Sequence, residues 1–515
     1  MVHARETTSY GHLDELVGSF AAALARHGIG RFERIGIYLP KSLENVVAMF
    51  GAARAGAVFV PINPVLKPAQ VQHIMRDCDV RCLITSAARL GAIAGILPEC
   101  QALGDVVLVD AASDSGADGV RVHEWREFID VDGAPNHSPA NHSPAIATDP
   151  AAILYTSGST GKAKGVVISH GNIVVGAQTV SGYLGNTAED RILAVLPLSF
   201  DAGFSQLTTA FHVGAAAVLL DFLLPNDVVK VAARERITGI TAVPPLWVQI
   251  ADLDWPDEAR ERIRYFANTG GKMPRSLLAR LRDLFPKAEP FLMYGLTEAF
   301  RSTFLDPGQV DARPDSIGKA IPGEEVLVVR EDGSICATDE PGELVHRGPL
   351  VSLGYWNDPE RTAARFRPAP SLPGAVAVPE LAVWSGDSVR RDADGYLYFV
   401  GRRDDMIKTS GYRVSPSEVE EVAYSTGLVA EAAAIGAAHP QLGQTIVLLV
   451  VAKDDAADCE GGLMKEFQKR VPKYMVPTQI SVRSALPKNP NGKIDRNALK
   501  AEVGDAAAPA GANDD

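Results

Sequence analysis

Short runs of Val, Ile and Leu alternate along the chain with segments in which apolar residues recur every three or four positions. "RIGIYLP" leads to "SLENVVAMFGAARAGA", then "VFVPINP", "AQVQHIMRDCD" and "RCLITS". The runs predict largely buried strands and the periodic segments predict helices, an α/β arrangement. A break follows at "GAPNHSPANHSPAIATDP", whose Pro, Asn and Ser content predicts an exposed linker in which His137 and His142 are solvated. The rhythm resumes with "AAILYT", "GNIVVGAQTVSGYL" and "RILAVLP" and continues through "ITGITAVPP" and "RSLLARLRDLF" to about residue 310.

Beyond that point "EEVLVVREDGSI" and "GELVHRG" read as strands separated by turn residues, which predicts a β-rich subdomain over about 311–400. The last stretch opens with Ser415, Pro416 and Glu418, a capping box with Pro at the first helical position, so a helix is expected to start there. Strands "VAEAAAIGA" and "TIVLLVVA", a helix "GLMKEFQKRV" and a basic loop "PKNPNGKIDR" complete a small α+β unit. The tail 504–515 is small and polar, and is expected to be disordered.

Length, charge and cysteines narrow the class. The 515 residues suffice for roughly three or four compact pieces. A formal net charge of -13 argues against nucleic-acid binding, which needs a basic face. The opening "MVHARETTSY" has no apolar core of signal-peptide length, and the longest apolar region, "GAAAVLLDFLLP", is broken by Asp221 well short of a membrane span, so a cytoplasmic protein is expected. Five cysteines without a C-x-x-C pair signal neither a disulfide frame nor a zinc site.

The stretch "YTSGSTGKAKG" from Tyr155 is the first candidate for chemistry. It fails the Walker A pattern, because Ala163 follows Gly161-Lys162 and Thr156 stands where the first Gly belongs, and it lacks the dinucleotide G-x-G-x-x-G. Glycines that allow close backbone approach, four hydroxyls and two lysines fit a phosphate clamp. A solvated turn fits that composition equally well.

The remaining motifs decide between them. "YTSGSTGKAKG", "NTGGKMP", "YGLTEA", "GELVHRG" with "GYWNDPERT", "WSGD", "GRRDDMIKTSGYRVSPSEVE" and "PKNPNGKIDR" occur in this order over nearly the whole chain. Together they resemble the adenylate-forming superfamily of acyl-CoA synthetases, peptide-synthetase adenylation domains and luciferases, and are most similar to a stand-alone acyl-CoA ligase. The resemblance implies a large N-terminal domain over 1–403 and a small, mobile C-terminal domain over 404–503.

It also implies the site. Thr156, Ser157, Gly158, Ser159, Thr160 and Lys164 would hold the ATP phosphates, with Ala163 departing from the proline common in relatives. Gly270, Gly271 and Gly295 would line the nucleotide, Tyr294 would stack on adenine, and Thr297 would touch phosphate. Glu298 would bind Mg²⁺, Asp387 and Arg402 would hold the ribose, and Lys493 would bridge the substrate carboxylate and the α phosphate. Catalysis would then rest on Lys493, Glu298 and Thr156, since bringing a carboxylate to a phosphate needs positioned cations. Asp404 matches the hinge about which the small domain turns, and Gly411 would line the thiol tunnel.

Phe200 and Asp201 resemble the "FD" with which amino-acid-activating domains meet the substrate ammonium, but acyl-CoA ligases also show it. An acyl or aryl acid is ranked first and an amino or imino acid second, with Met293, Arg301, Ser302, Pro245 and Ser205 near the pocket. Coenzyme A is the simplest acceptor, and the phosphopantetheine of an acyl or peptidyl carrier protein is the alternative. A degenerate ATP-binding scaffold and a dehydrogenase are the rival classes; the first would give no pyrophosphate exchange and the second would need the missing fingerprint. The family's early Thr-Tyr pattern falls at "TTSYGHLDELVGSF", so the leading segment of relatives is expected to be short or missing.

Overall fold

The computed structural model describes residues 1–110, 119–130, 145–156, 163–370, 377–402, 405–409, 412–439, 442–453 and 458–506. Two large sheets and one small one organise them. The first sheet has seven strands in the order Arg121–Glu124, Asp105–Leu108, Val80–Thr85, Arg34–Ile37, Val58–Pro61, Pro150–Thr156, Lys164–Ser169. Its pairings are parallel except for the last, where Pro150–Thr156 and Lys164–Ser169 run antiparallel. The apolar runs of Val58–Pro61 and Asp105–Leu108 are buried throughout, as expected of strands covered on both faces.

The second sheet has a parallel centre in the order Ala216–Leu219, Arg191–Ala194, Gly239–Ala242, Tyr265–Asn268, Glu289–Tyr294. The helix Asp201–Val213 packs with both large sheets. Residues Asp201 to Ala210 are all buried, and Phe204 meets Phe59 of the first sheet at 5.3 Å between ring centroids. Its apolar residues therefore surround the helix and do not form a single stripe.

The change of pattern near residue 310 coincides with a change from parallel to antiparallel pairing, and the sheet itself continues. Thr303–Leu305 pairs with Glu289–Tyr294 on one side and with Ser316–Ala320 on the other, and the strands up to Leu397–Arg402 extend the same fourteen-stranded sheet. Gly318 is obligatory at this junction: its φ is 84°, and a Cβ would fall 1.8 Å from the Phe304 carbonyl oxygen.

Two features depart from the pattern reading. Val2–His3 joins the far edge of the second sheet, with Val2 opposite Val218, although "MVHARE" carries no strand periodicity. The helix Pro416–Ser425 starts where the Ser-Pro-x-Glu motif predicts, but the capping box does not form: Ser415 makes no side-chain cap bond. Its hydroxyl is buried toward Gly401, with no hydrogen-bond partner among the described residues, and the first turn closes on the Ser415 carbonyl, which accepts from the Glu418 N–H at 3.1 Å.

The small unit carries a five-stranded sheet. Val429–His439 and Gly443–Ala452 form its long antiparallel pair, and Gln479–Arg483 adds in parallel to Gly443–Ala452. The helices Pro416–Ser425 and Cys459–Arg470 contribute Val419, Leu463 and Phe467 to a core with Leu448 and Val450.

Candidate active site

In an open parallel sheet, ligands gather in the crevice beyond the carboxyl ends of the strands. Four consecutive strands of the second sheet deliver the sequence motifs to that place. Arg191–Ala194 leads to Phe200 and Asp201, Gly239–Ala242 to Pro244 and Pro245, Tyr265–Asn268 to Gly270 and Gly271, and Glu289–Tyr294 to Gly295, Thr297, Glu298 and Arg301. Thr156 ends a strand of the first sheet, and its buried hydroxyl has no partner among the described residues. Ser157, Gly158, Ser159, Thr160, Asp404 and Gly411 lie outside the described residues.

The small unit supplies Lys493 to this crevice. Asn489 shapes the loop, its side-chain oxygen accepting from the backbone N–H groups of Asn491 and Lys493, while Gly492 takes a φ of 80°. The Asn63 amide, on the large unit, donates to the Pro490 carbonyl at 2.9 Å and fastens the loop across the junction. The Lys493 ammonium lies 4.9 Å from the centre of the Phe200 ring. Its stem runs against Gly270, where a Cβ would come 2.5 Å from Cε, so the glycine is what admits the lysine. Burial pushes the Lys493 pKa down, and Asp201 partly offsets the effect.

A compact cluster forms around Glu298. The Lys164 ammonium donates to its carboxylate at 2.7 Å and to the Tyr355 hydroxyl at 2.7 Å, and Tyr355 donates to the same carboxylate at 2.6 Å. Burial opposes ionisation of Glu298, but Lys164 and Arg365 outweigh it and hold the pKa down at about 2. Lys164 sits 4.2 Å above the Tyr355 ring. Thr297 is buried alongside.

Tyr294 donates its hydroxyl to Asp387, and Arg402 approaches the other oxygen of Asp387 at 3.5 Å. His346 stacks on Tyr294 at 6.1 Å with both ring nitrogens unpartnered among the described residues, and burial lowers its pKa to about 3, which keeps it neutral. Deeper in, Asp201 and Arg301 face each other at 3.7 Å, both side chains 4% exposed. A cavity beside them is lined by Ala202, Ser205, Thr209, Met293 and Arg301. Met293 receives the Tyr183 hydroxyl on its sulfur at 3.0 Å, and Ser302, which follows Arg301 in sequence, is buried.

The described members of the predicted set thus converge on one crevice. Tyr355, Arg365, His346 and Asn63 are additions that motif reading did not single out. Tyr355 lies in the quoted "GYWNDPERT" and His346 in the quoted "GELVHRG", so for these two the motifs themselves were the available signal.

An open-sheet crevice with a buried acid–lysine cluster and a second lysine brought in by a small unit is the arrangement of a ligand site for an anionic group. The comparisons specify it: residues 1–356 match the family model described as AMP-binding enzyme, and residues 418–493 match the AMP-binding enzyme C-terminal domain. The chain belongs to this family and is an acyl-adenylate-forming ligase. It is 30% identical over 515 residues to L-proline--[L-prolyl-carrier protein] ligase of Pseudomonas fluorescens, covering 98% of this chain and 96% of that protein. It is 28% identical to the long-chain-fatty-acid--CoA ligase of Salmonella typhimurium, covering 98% and 91%. The ATP-bound structure of MatB from Rhodopseudomonas palustris superposes with a TM-score of 0.86 at 25% identity, covering 98% of this chain and 95% of that one. The large N-terminal and small C-terminal domains follow that fold.

Proposed function

We propose that the chain activates a carboxylic acid with ATP, releasing pyrophosphate, and passes the acyl group to the thiol of coenzyme A. The observation that carries this reading is the Lys493 ammonium, held over Phe200 in the crevice of the large domain by a loop of the small one. A carboxylate oxygen must reach the α phosphorus against like charge, and a buried cation at the meeting point lowers that barrier.

The other roles are carried by the resemblance of the motifs. Tyr294, Gly270, Gly271 and Gly295 would line the adenine side, Asp387 with Arg402 would meet the ribose, and Thr156, Thr297 and Lys164, with Ser157, Gly158, Ser159 and Thr160, would hold the phosphates. Glu298, buried and ionised, suits Mg²⁺, a hard cation that would screen the leaving pyrophosphate. Residues 404–503 turn about Asp404 after adenylation, withdrawing Lys493 and bringing Gly411 to the incoming thiol.

A second reading, an amino or imino acid loaded onto carrier-protein phosphopantetheine, is supported by Asp201 and by the likeness to the proline ligase. Pyrophosphate exchange across fatty, aromatic and amino acids, followed by mass analysis with coenzyme A and with a carrier protein, separates the two. An acyl-coenzyme A product is expected. Thioester on the carrier alone would overturn the acceptor, and no exchange with any acid would overturn the adenylation.

A further inference from the structure

Asp201 and Arg301 form a buried pair that leaves much of its capacity unused. At 3.7 Å the two charges attract without a hydrogen bond between them. Asp201 Oδ1, Arg301 Nε and the hydroxyl of Ser302 are all buried and have no hydrogen-bond partner among the described residues. Leaving such groups unpaired costs more than a made bond returns, so a ligand that satisfies them is selected strongly.

The backbone shows that Arg301 is placed there against resistance. Phe300, fully buried, has a φ of 47°, a conformation that side chains other than glycine rarely adopt. Its ring packs against Gly176, where a Cβ would lie 2.7 Å from Cδ1, so the ring is locked in the core while the chain turns. The next residue, Arg301, thereby lines the small cavity along the helix that begins at Asp201, and its guanidinium comes within 3.7 Å of the Asp201 carboxylate.

The charges facing this point determine which ligand fits. Lys493 and Arg301 are positive; burial raises the Asp201 pKa and Glu298 adds to the rise, while Arg301 and Lys493 oppose it and favour the Asp201 carboxylate. Lys493 is matched by the substrate carboxylate, which leaves a neutral Asp201–Arg301 pair for the rest of the molecule. An ammonium offers only donors and faces Arg301, a second carboxylate offers only acceptors and faces Asp201, and an alkyl chain leaves both unsatisfied. A hydroxyl or an amide both donates and accepts.

We infer that the acid activated here carries, close to its carboxylate, a neutral group that donates to Asp201 and accepts from Arg301, as in a hydroxy acid or an N-acyl amino acid. This rests on the adenylation reading and adds the substrate class to it.

Pyrophosphate exchange with butyrate, 2-hydroxybutyrate, 3-hydroxybutyrate, 2-aminobutyrate, succinate and N-acetylglycine tests the inference. At least one hydroxy or N-acyl acid should exceed butyrate, 2-aminobutyrate and succinate in kcat/KM by about tenfold or more, the scale of a hydrogen bond to a charged group. The hydroxyl and amide arms tell which source supplies the group. Arg301→Met should bring the preferred acid to within about twofold of butyrate with the KM for ATP unchanged, and Arg301→Lys should restore part of the preference. Thermal unfolding of each variant excludes a folding failure. Butyrate, succinate or 2-aminobutyrate matching or exceeding the polar acids, or a preference that survives in Arg301→Met, would overturn the inference while leaving adenylation intact. Exchange with none of the acids, nor with any acid of the wider panel, would overturn both.

Discussion

Two buried ion pairs sit in one crevice and are built to opposite ends. Glu298 and Lys164 are joined at 2.7 Å and closed by Tyr355, so each charge has short, well-directed partners. Asp201 and Arg301 stand 3.7 Å apart, and Asp201 Oδ1 and Arg301 Nε have no hydrogen-bond partner among the described residues. A satisfied cluster is fixed before any ligand arrives, whereas an unsatisfied pair gains only when the right ligand does. On the proposed function the first would serve the phosphates, which are common to every reaction of this class, and the second the acid, which differs from enzyme to enzyme.

The sharpest way to break this contrast is to neutralise the closed cluster. Glu298→Gln should lower the exchange rate by about 10²-fold or more through lost electrostatic positioning. It should also change acid stability. The folded-state pKa of about 2 lies below the ordinary glutamate value of 4.5, so the stabilisation is complete above 4.5 and is lost as pH falls toward 2. Denaturant titrations at pH 5 and pH 2 should show the wild type losing about 3 kcal/mol more than the variant.

A smaller effect concerns the lysine that faces the open pair. Burial lowers the Lys493 pKa from 10.5, and its role requires the protonated form, so exchange should fall as pH rises through a value below 10.5. In a pH profile of kcat/KM, Lys493→Arg should carry that limb to higher pH while reducing the plateau. Smallest is Gly176→Ala, whose methyl presses on Phe300: about 1–3 kcal/mol of stability should be lost in denaturant unfolding, and acid preference should weaken with the KM for ATP unchanged.

Much of the fold was legible because buried parallel strands and their helices leave strong local patterns. The runs at Val58–Pro61 and Arg191–Ala194 and the periodic helix Leu43–Arg54 are such cases. The crevice was legible through motifs, since the quoted motifs fall just beyond the carboxyl ends of neighbouring strands. What stayed hidden depends on distant partners. Tyr355 meets Glu298 across 57 positions, and Asn63 meets Pro490 across 427. Val2 gains its strand only by adding to the edge beside Val218. Ser415 carries a complete local capping signal, yet burial beside Gly401 sets its side chain instead, a tertiary demand overriding a local one.

The central claim is that Lys493 serves the adenylation step from a domain that then turns away. The direct measurement is Lys493→Ala in both half-reactions: pyrophosphate exchange with the preferred acid, and transfer of a supplied acyl-adenylate to the thiol. Exchange should fall by about 10²–10³-fold while transfer stays within about threefold of the wild type. Equal loss of both steps, or exchange that persists without the lysine, would contradict the account.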